Sequence, residues 1–218
     1  VDLYLTADAM QRYAVDIVEP ARAAGLWVHE ATPEVLAAMA DTDAPQGLVA
    51  VVERSEPTLA EVLAAGPRLL VLLTHVRDPG NAGTVIRGAD AVGADAVLVS
   101  DSSVDVTSPK VVRSTAGSLF HLPVVTALAT EVTLSTLAAH GIRTLAADGA
   151  GRVELPSVDL AGPHCWVMGN EAWGLPESTR SACDEVVRVP IHGKAESLNL
   201  AMAATVCLYA SAGVLRPR

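Results

Sequence analysis

A chain of 218 residues is long enough to bury a core without disulfide or metal staples. Half of it is hydrophobic and only 3% is aromatic, so the core is built from Ala, Val and Leu, and a disordered chain is excluded. The formal charge is −10, with 11 acids against 3 arginines in residues 1–66 and 14 acids against 12 bases in residues 67–218. That balance shows no basic face of the kind a nucleic-acid binder presents, and it counts mildly against one. No apolar run approaches the roughly 20 residues of a bilayer span, and no basic-then-apolar leader opens the chain, so no membrane association is expected. The most apolar stretch, Leu198 to Leu215, carries Asn199, Thr205 and Ser211 and reads as a buried helix. Cys165, Cys183 and Cys207 are odd in number and lack paired metal spacing, which suits a reducing cytoplasm and predicts no metal site.

Residues 1–54 read as a small α/β unit. A strand is predicted over 1–5, a helix over 8–24, a short strand over 26–29, a helix over 32–40 entered at Thr32-Pro33, and a strand over 47–52. The chain starts in mid-strand and without Met, which leads us to expect a segment before Val1. Residues 55–66, with Pro57 and the closing Gly66-Pro67, read as a linker containing a helix. From 67 to 218 strands and helices alternate. Strands are predicted at 69–74, 96–100, 122–126, 142–147, 165–168 and 186–189, and helices at 81–92, 108–116, 129–140, 176–182 and 196–212. Most of these strands are continuous apolar runs, the mark of a parallel sheet covered on both faces. The second domain is therefore a doubly wound α/β fold.

Three segments carry chemistry. The first runs Asp78-Pro-Gly-Asn-Ala-Gly83 and continues into a helix with Ala82, Val85, Ile86, Ala89 and Val92 on one face. Arg87 lies opposite that stripe, where it faces a substrate or pairs with Asp90 one turn on. Asn81 is a pocket residue or the helix N-cap. The glycine spacing is not G-x-G-x-x-G, which argues against a dinucleotide oxidoreductase. The second segment, His164-Cys-Trp-Val-Met-Gly-Asn-Glu-Ala-Trp-Gly-Leu-Pro176, is a buried strand running into a turn. Gly169 and Gly174 there allow close approach of a ligand to backbone, and Glu171 needs a partner or water. Trp173 otherwise serves as a partly buried plug. The third, Val189-Pro-Ile-His-Gly-Lys-Ala-Glu-Ser-Leu-Asn-Leu200, opens the long helix, with Glu196 and Ser197 as alternative caps. Gly193-Lys194 lacks Walker spacing.

Taken together and in this order, the three segments resemble the signature motifs of the SpoU (TrmH-type) RNA 2′-O-ribose methyltransferases of the SPOUT superfamily. The resemblance covers 67–218; residues 1–54, through the Gln46-Gly-Leu-Val-Ala-Val close, are similar to the small ribosomal-protein-like RNA-binding domain that precedes such domains. Two departures stand at Ala172 and Ala201. The resemblance implies a parallel sheet with a C-terminal deep trefoil knot over roughly 142–212, S-adenosyl-L-methionine as cofactor, a homodimer, and RNA, ribosomal before transfer RNA, as substrate. It places Leu145, Ala146, Ala147, Gly169, Asn170, Val189, Ile191 and Leu198 around the cofactor. Catalysis falls to Arg87, with Asn81, Glu171, Ser197 and Asn199 shaping the pocket. The other readings are a transfer-RNA methyltransferase, a non-catalytic RNA-binding relative, and a nicotinamide-dependent enzyme.

Overall fold

The computed structural model describes residues 1–40, 42 and 45–215. The chain divides into two compact units, Val1–Ser55 and Glu56–Arg218. The first contains β1 (Asp2–Leu5), α1 (Ala7–Arg12), a π-helical turn (Ala14–Val18), α2 (Glu19–Ala23), β2 (Trp27–Glu30), α3 (Pro33–Met39) and β3 (Leu48–Val51). Its sheet runs β2-β1-β3, with β2 parallel and β3 antiparallel to β1. Leu3, Leu5, Ala9, Val18 and Ala21 form its core. The helix expected over 8–24 is thus broken into three pieces. Pro20, at the start of α2, has no N–H to donate to the preceding turn, and the π-helical turn absorbs the missing bond.

The second unit contains α4 (Leu59–Ala64), β4 (Leu69–Leu73), α5 (Pro79–Val92), β5 (Ala96–Ser100), α6 (Pro109–Thr115), β6 (Val124–Leu128) and α7 (Thr130–Ala139). It continues with β7 (Arg143–Ala147), β8 (Val153–Glu154), β9 (His164–Met168), α8 (Glu177–Ala182), β10 (Glu185–Arg188) and α9 (Leu200–Leu215). Seven parallel strands lie in the order β6-β5-β4-β9-β7-β10-β8. Every residue of β4, β5 and β9 is buried, as the continuous apolar runs predict. Their side chains alternate between two cores. Val71, Val97 and Trp166 pack on one face, and Leu72, Leu98 and Val167 on the other. In α4, capped by the Thr58–Glu61 box, Val62 and Leu63 join the second of these cores.

The carboxyl half has an unusual path. β10 is seated between β7 and β8, although only residues 148–152 join those two strands. The connection must cross the end of β10, and it does so closely. A Cβ on Gly151 would meet the amide nitrogen of Arg188 at 2.7 Å and the carbonyl oxygen of Val186 at 2.8 Å. After β10 the chain returns as α9, which is pinned to β9 by a buried polar cluster. Trp166 Nε1–H donates to Ser211 Oγ at 2.8 Å, and His164 Nε2 pairs with the same oxygen at 2.7 Å. His164 Nδ1–H donates to the carbonyl of Gly162 at 2.8 Å. Burial holds the His164 imidazole below its ordinary pKa, partly opposed by that backbone bond. No helix of the described residues is long and apolar enough to cross a membrane.

Candidate active site

The first segment is built as a capped helix start. Asp78, not Asn81, is the N-cap of α5, its Oδ1 accepting from the Asn81 amide at 2.7 Å with Pro79 at the first helical position. This frees the Asn81 side chain. Its Nδ2–H donates to Glu171 Oε1 at 3.2 Å, and its Oδ1 accepts from Asn199 Nδ2 at 3.0 Å. One amide therefore ties together residues from all three segments.

Glu171 follows β9 on a turn closed by two backbone bonds between Asn170 and Gly174, both 2.9 Å. Its carboxylate also accepts from the Asp78 amide at 3.2 Å and the Arg77 amide at 3.5 Å. These amides sit at the positive end of α5, which suits a carboxylate. Asn170 Nδ2 donates to the carbonyl of His75 at 2.7 Å, and the His75 amide donates to Ser100 Oγ at 3.1 Å. His75 is held there at φ 56°, a strained conformation for a residue with a Cβ. Gly169 answers a packing demand, since a Cβ on it would lie 2.4 Å from the Gly174 carbonyl carbon. In the third segment the helix begins at Leu200, four residues later than predicted. Glu196 and Ser197 do not cap it. Asn199 Oδ1 accepts from the amides of Ala201 at 2.9 Å and Met202 at 3.4 Å.

Between these segments, at the carboxyl ends of β7, β9 and β10, lies a cavity of about 290 Å³. Of the sequence-predicted cofactor residues, Ala147, Gly169, Asn170, Val189, Ile191 and Leu198 line it, together with Glu171 and Ser197. Leu145 and Ala146 do not. Both are fully buried inside the sheet, and only the last residue of β7 reaches the opening. Asn81 and Asn199 stand behind Glu171 without lining the cavity. Arg87 is exposed on α5, six residues or about 9 Å of helix beyond Asn81. It does not pair with Asp90, whose carboxylate instead meets His121 Nδ1 at 2.7 Å, and its side chain is unpaired among the described residues.

Asp148 is a lining residue that the sequence reading missed. Its Oδ1 accepts from Ala150 N at 2.9 Å and Arg180 Nη1 at 3.3 Å, and its Oδ2 accepts from Leu175 N at 3.4 Å. The position, one residue past the strand end at 147, was the available signal. Three carboxylates line the cavity (Asp148, Glu171 and Glu196), and among the described residues no lysine or arginine does. With Met168, Val187, Val189, Ile191 and Leu198 as apolar wall, this donor set fits a ligand that carries positive charge and a flat apolar ring. It opposes a pyrophosphate. No group of three or more potential metal ligands occurs among the described residues.

These features define an α/β protein with a small-ligand cavity at the carboxyl edge of a parallel sheet and a polar tie of three segments beside it. The profile of the SpoU rRNA Methylase family matches residues 68–209, and that for RNA 2′-O ribose methyltransferase substrate binding matches residues 1–58. The chain belongs to the SpoU family. It is 35% identical over 213 residues to the 23S rRNA (guanosine-2′-O-)-methyltransferase RlmB of Ralstonia nicotianae, covering 95% of this chain and 85% of the relative. It is also 35% identical to the 23S rRNA (guanosine(2553)-2′-O)-methyltransferase RlmP of Bacillus subtilis, covering 85% of this chain and 72% of that one. Among solved structures it is similar to the SpoU methyltransferase AviRb of Streptomyces viridochromogenes in complex with the cofactor AdoMet. That likeness has a TM-score of 0.84 and 31% identity, over 97% of this chain and 81% of the other. An AdoMet-bound rRNA methyltransferase from Sinorhizobium meliloti is similar at TM-score 0.83 and 31% identity, over 96% and 78%.

Proposed function

We propose that this chain is an S-adenosyl-L-methionine-dependent enzyme that methylates a ribose 2′-hydroxyl in ribosomal RNA. The observation that carries the reading is the Asn81 side chain joining Asn199 to Glu171, a lining residue of a cavity that among the described residues has three carboxylates and no lysine or arginine in its wall. That donor set suits a sulfonium and an ammonium and disfavours a nicotinamide dinucleotide. The two family profiles together, and the 23S rRNA enzymes among the relatives, favour ribosomal RNA.

When bound, the cofactor supplies a methyl group already activated by the sulfonium. What remains for the protein is to orient the sugar and manage one proton. Ala147, Gly169, Asn170, Val189, Ile191 and Leu198 hold the cofactor by backbone and apolar wall. Glu171, anchored on the amides at the start of α5, fixes Asn81, and Asn81 fixes Asn199, so that Ser197 and these amides frame the entering ribose. Arg87, unpaired among the described residues, takes the neighbouring phosphate through its planar fork and lowers the hydroxyl's pKa electrostatically. A guanidinium, with its charge delocalised over a planar fork, is better suited to that task than to removing the proton itself, which passes to solvent water as the oxygen takes the methyl group from sulfur.

The crossing of residues 148–152 over β10 supports a trefoil knot in the carboxyl half. Residues 1–54 serve as the RNA substrate-binding domain and residues 67–218 as the methyltransferase domain, and the segment 55–66 expected as a linker contributes α4 to the core of the second. Met202, Val206 and Tyr209 form a stripe on α9 at i, i+4, i+7 and are 59%, 42% and 57% exposed, which supports a homodimer closed on that helix. The test is transfer of labelled methyl from S-adenosyl-L-methionine to ribosomal RNA, followed by nuclease digestion. A 2′-O-methyl nucleoside is expected. Labelled base, or no label, overturns the reading.

A further inference from the structure

The tip of the turn between β9 and α8 carries a large apolar side chain that the mechanism leaves unused. Trp173 is 59% exposed, whereas Trp166 on the adjoining strand is fully buried. It stands in the chain between Ala172 and Gly174, both of which line the cavity. Among the described residues it has no ring contact.

The turn that holds it is fixed. Two backbone bonds close Asn170 onto Gly174, Asn170 Oδ1 accepts from the Ala172 amide at 2.8 Å, and Glu171 is tied to the start of α5. A tip so constrained presents the indole from a fixed backbone and leaves only its two side-chain torsions to be ordered on binding. The polar side chains that line the cavity beside this turn, Glu171 and Ser197, suit a sugar hydroxyl and offer no partner to the flat face of an attached base. A ribose that enters the cavity brings its base to the rim. In an A-form duplex that base is stacked and cannot follow, whereas in a loop it is free to turn onto an aromatic side chain.

We propose that Trp173 stacks on the unpaired base of the nucleotide whose ribose enters the cavity, and that the substrate nucleotide is therefore single-stranded. This rests on the methyl-transfer reading above. Stacking of a base on an aromatic residue is worth a factor of about 5 to 150 in affinity.

The test measures binding of a ribosomal RNA fragment containing the mapped target to the full chain without cofactor. Trp173→Ala is expected to bind about 5- to 150-fold more weakly, with Trp173→Phe restoring most of the loss and S-adenosyl-L-methionine affinity unchanged. RNA made abasic at the target is expected to bind wild type as weakly as intact RNA binds Trp173→Ala, and to lose nothing further with that variant. Equal RNA affinity of wild type and Trp173→Ala overturns the proposal, as do independent, additive losses from the variant and the abasic site. A Trp173→Ala chain that changes oligomeric state in sedimentation also overturns it, because the indole then belongs to an interface between copies. If wild type methylates no RNA at all, the parent reading fails instead.

Discussion

Gly169→Ala perturbs the site through a single methyl group. A Cβ at this position would lie 2.4 Å from the carbonyl carbon of Gly174, 2.5 Å from its oxygen and 2.6 Å from the amide nitrogen of Leu175. All three are backbone atoms, so no rotamer change relieves the clash. Reaching even a tight carbon–carbon contact requires the 170–175 turn to retreat by about 1 Å. Glu171 rides on that turn, and its bonds to the Asp78 amide and to Asn81 Nδ2 are both already 3.2 Å. A displacement of that size in a positioning residue lowers kcat/KM by about 100-fold, or about 2.7 kcal/mol of transition-state stabilisation. The overpacking itself costs about 1–3 kcal/mol of stability. Steady-state methyl transfer to a ribosomal RNA fragment, read beside thermal unfolding of the same preparation, measures both. A folded Gly169→Ala protein with kcat/KM within threefold of wild type would refute the reasoning.

Arg87→Lys keeps the charge and loses the planar fork, so turnover should fall about 100-fold while cofactor affinity stays unchanged; a lysine variant near full activity contradicts the phosphate role. Asn81→Ala removes the tie between Glu171 and Asn199 and should lower kcat/KM by at least about 10-fold in the same assay. Because burial lowers the His164 pKa, the unfolded chain binds the proton first as pH falls below about 6.5, and the folded state loses stability in that range. Urea midpoints between pH 7.5 and 5.5 should drop for wild type and flatten for His164→Gln; parallel curves would be inconsistent with a neutral buried imidazole. Val206→Glu places a charge in the exposed α9 stripe and should shift the protein from dimer to monomer in sedimentation equilibrium. A wild-type monomer refutes the dimer outright.

The sheet was legible because β4, β5 and β9 are buried on both faces and so read as unbroken apolar runs. β8 was not, since two residues leave no periodicity to find. Neither was the break at Pro20, where a continuous apolar pattern masked the loss of one backbone donor. The start of α9 was placed too early because residues 196–199 contain no glycine or proline to mark the boundary, and the true cap, Asn199, also bonds Asn81. The cavity residues at strand ends were legible from the motifs. Which residue of β7 reaches the opening was not, because burial separates Leu145 and Ala146 from Ala147 only once the neighbouring strands are in place. The partners of Glu171 were equally hidden. They lie 93 and 90 residues away in the chain, at Asp78 and Asn81.

The central claim is a methyl group delivered to a sugar oxygen at the cavity mouth. Mapping 2′-O-methylated nucleotides in ribosomal RNA incubated with S-adenosyl-L-methionine and either wild type or Arg87→Ala tests it most directly. One new ribose methylation, at an unpaired nucleotide, is expected with wild type and none with the variant. A methyl group found on a base, or an unchanged ribose map with wild type, would contradict it.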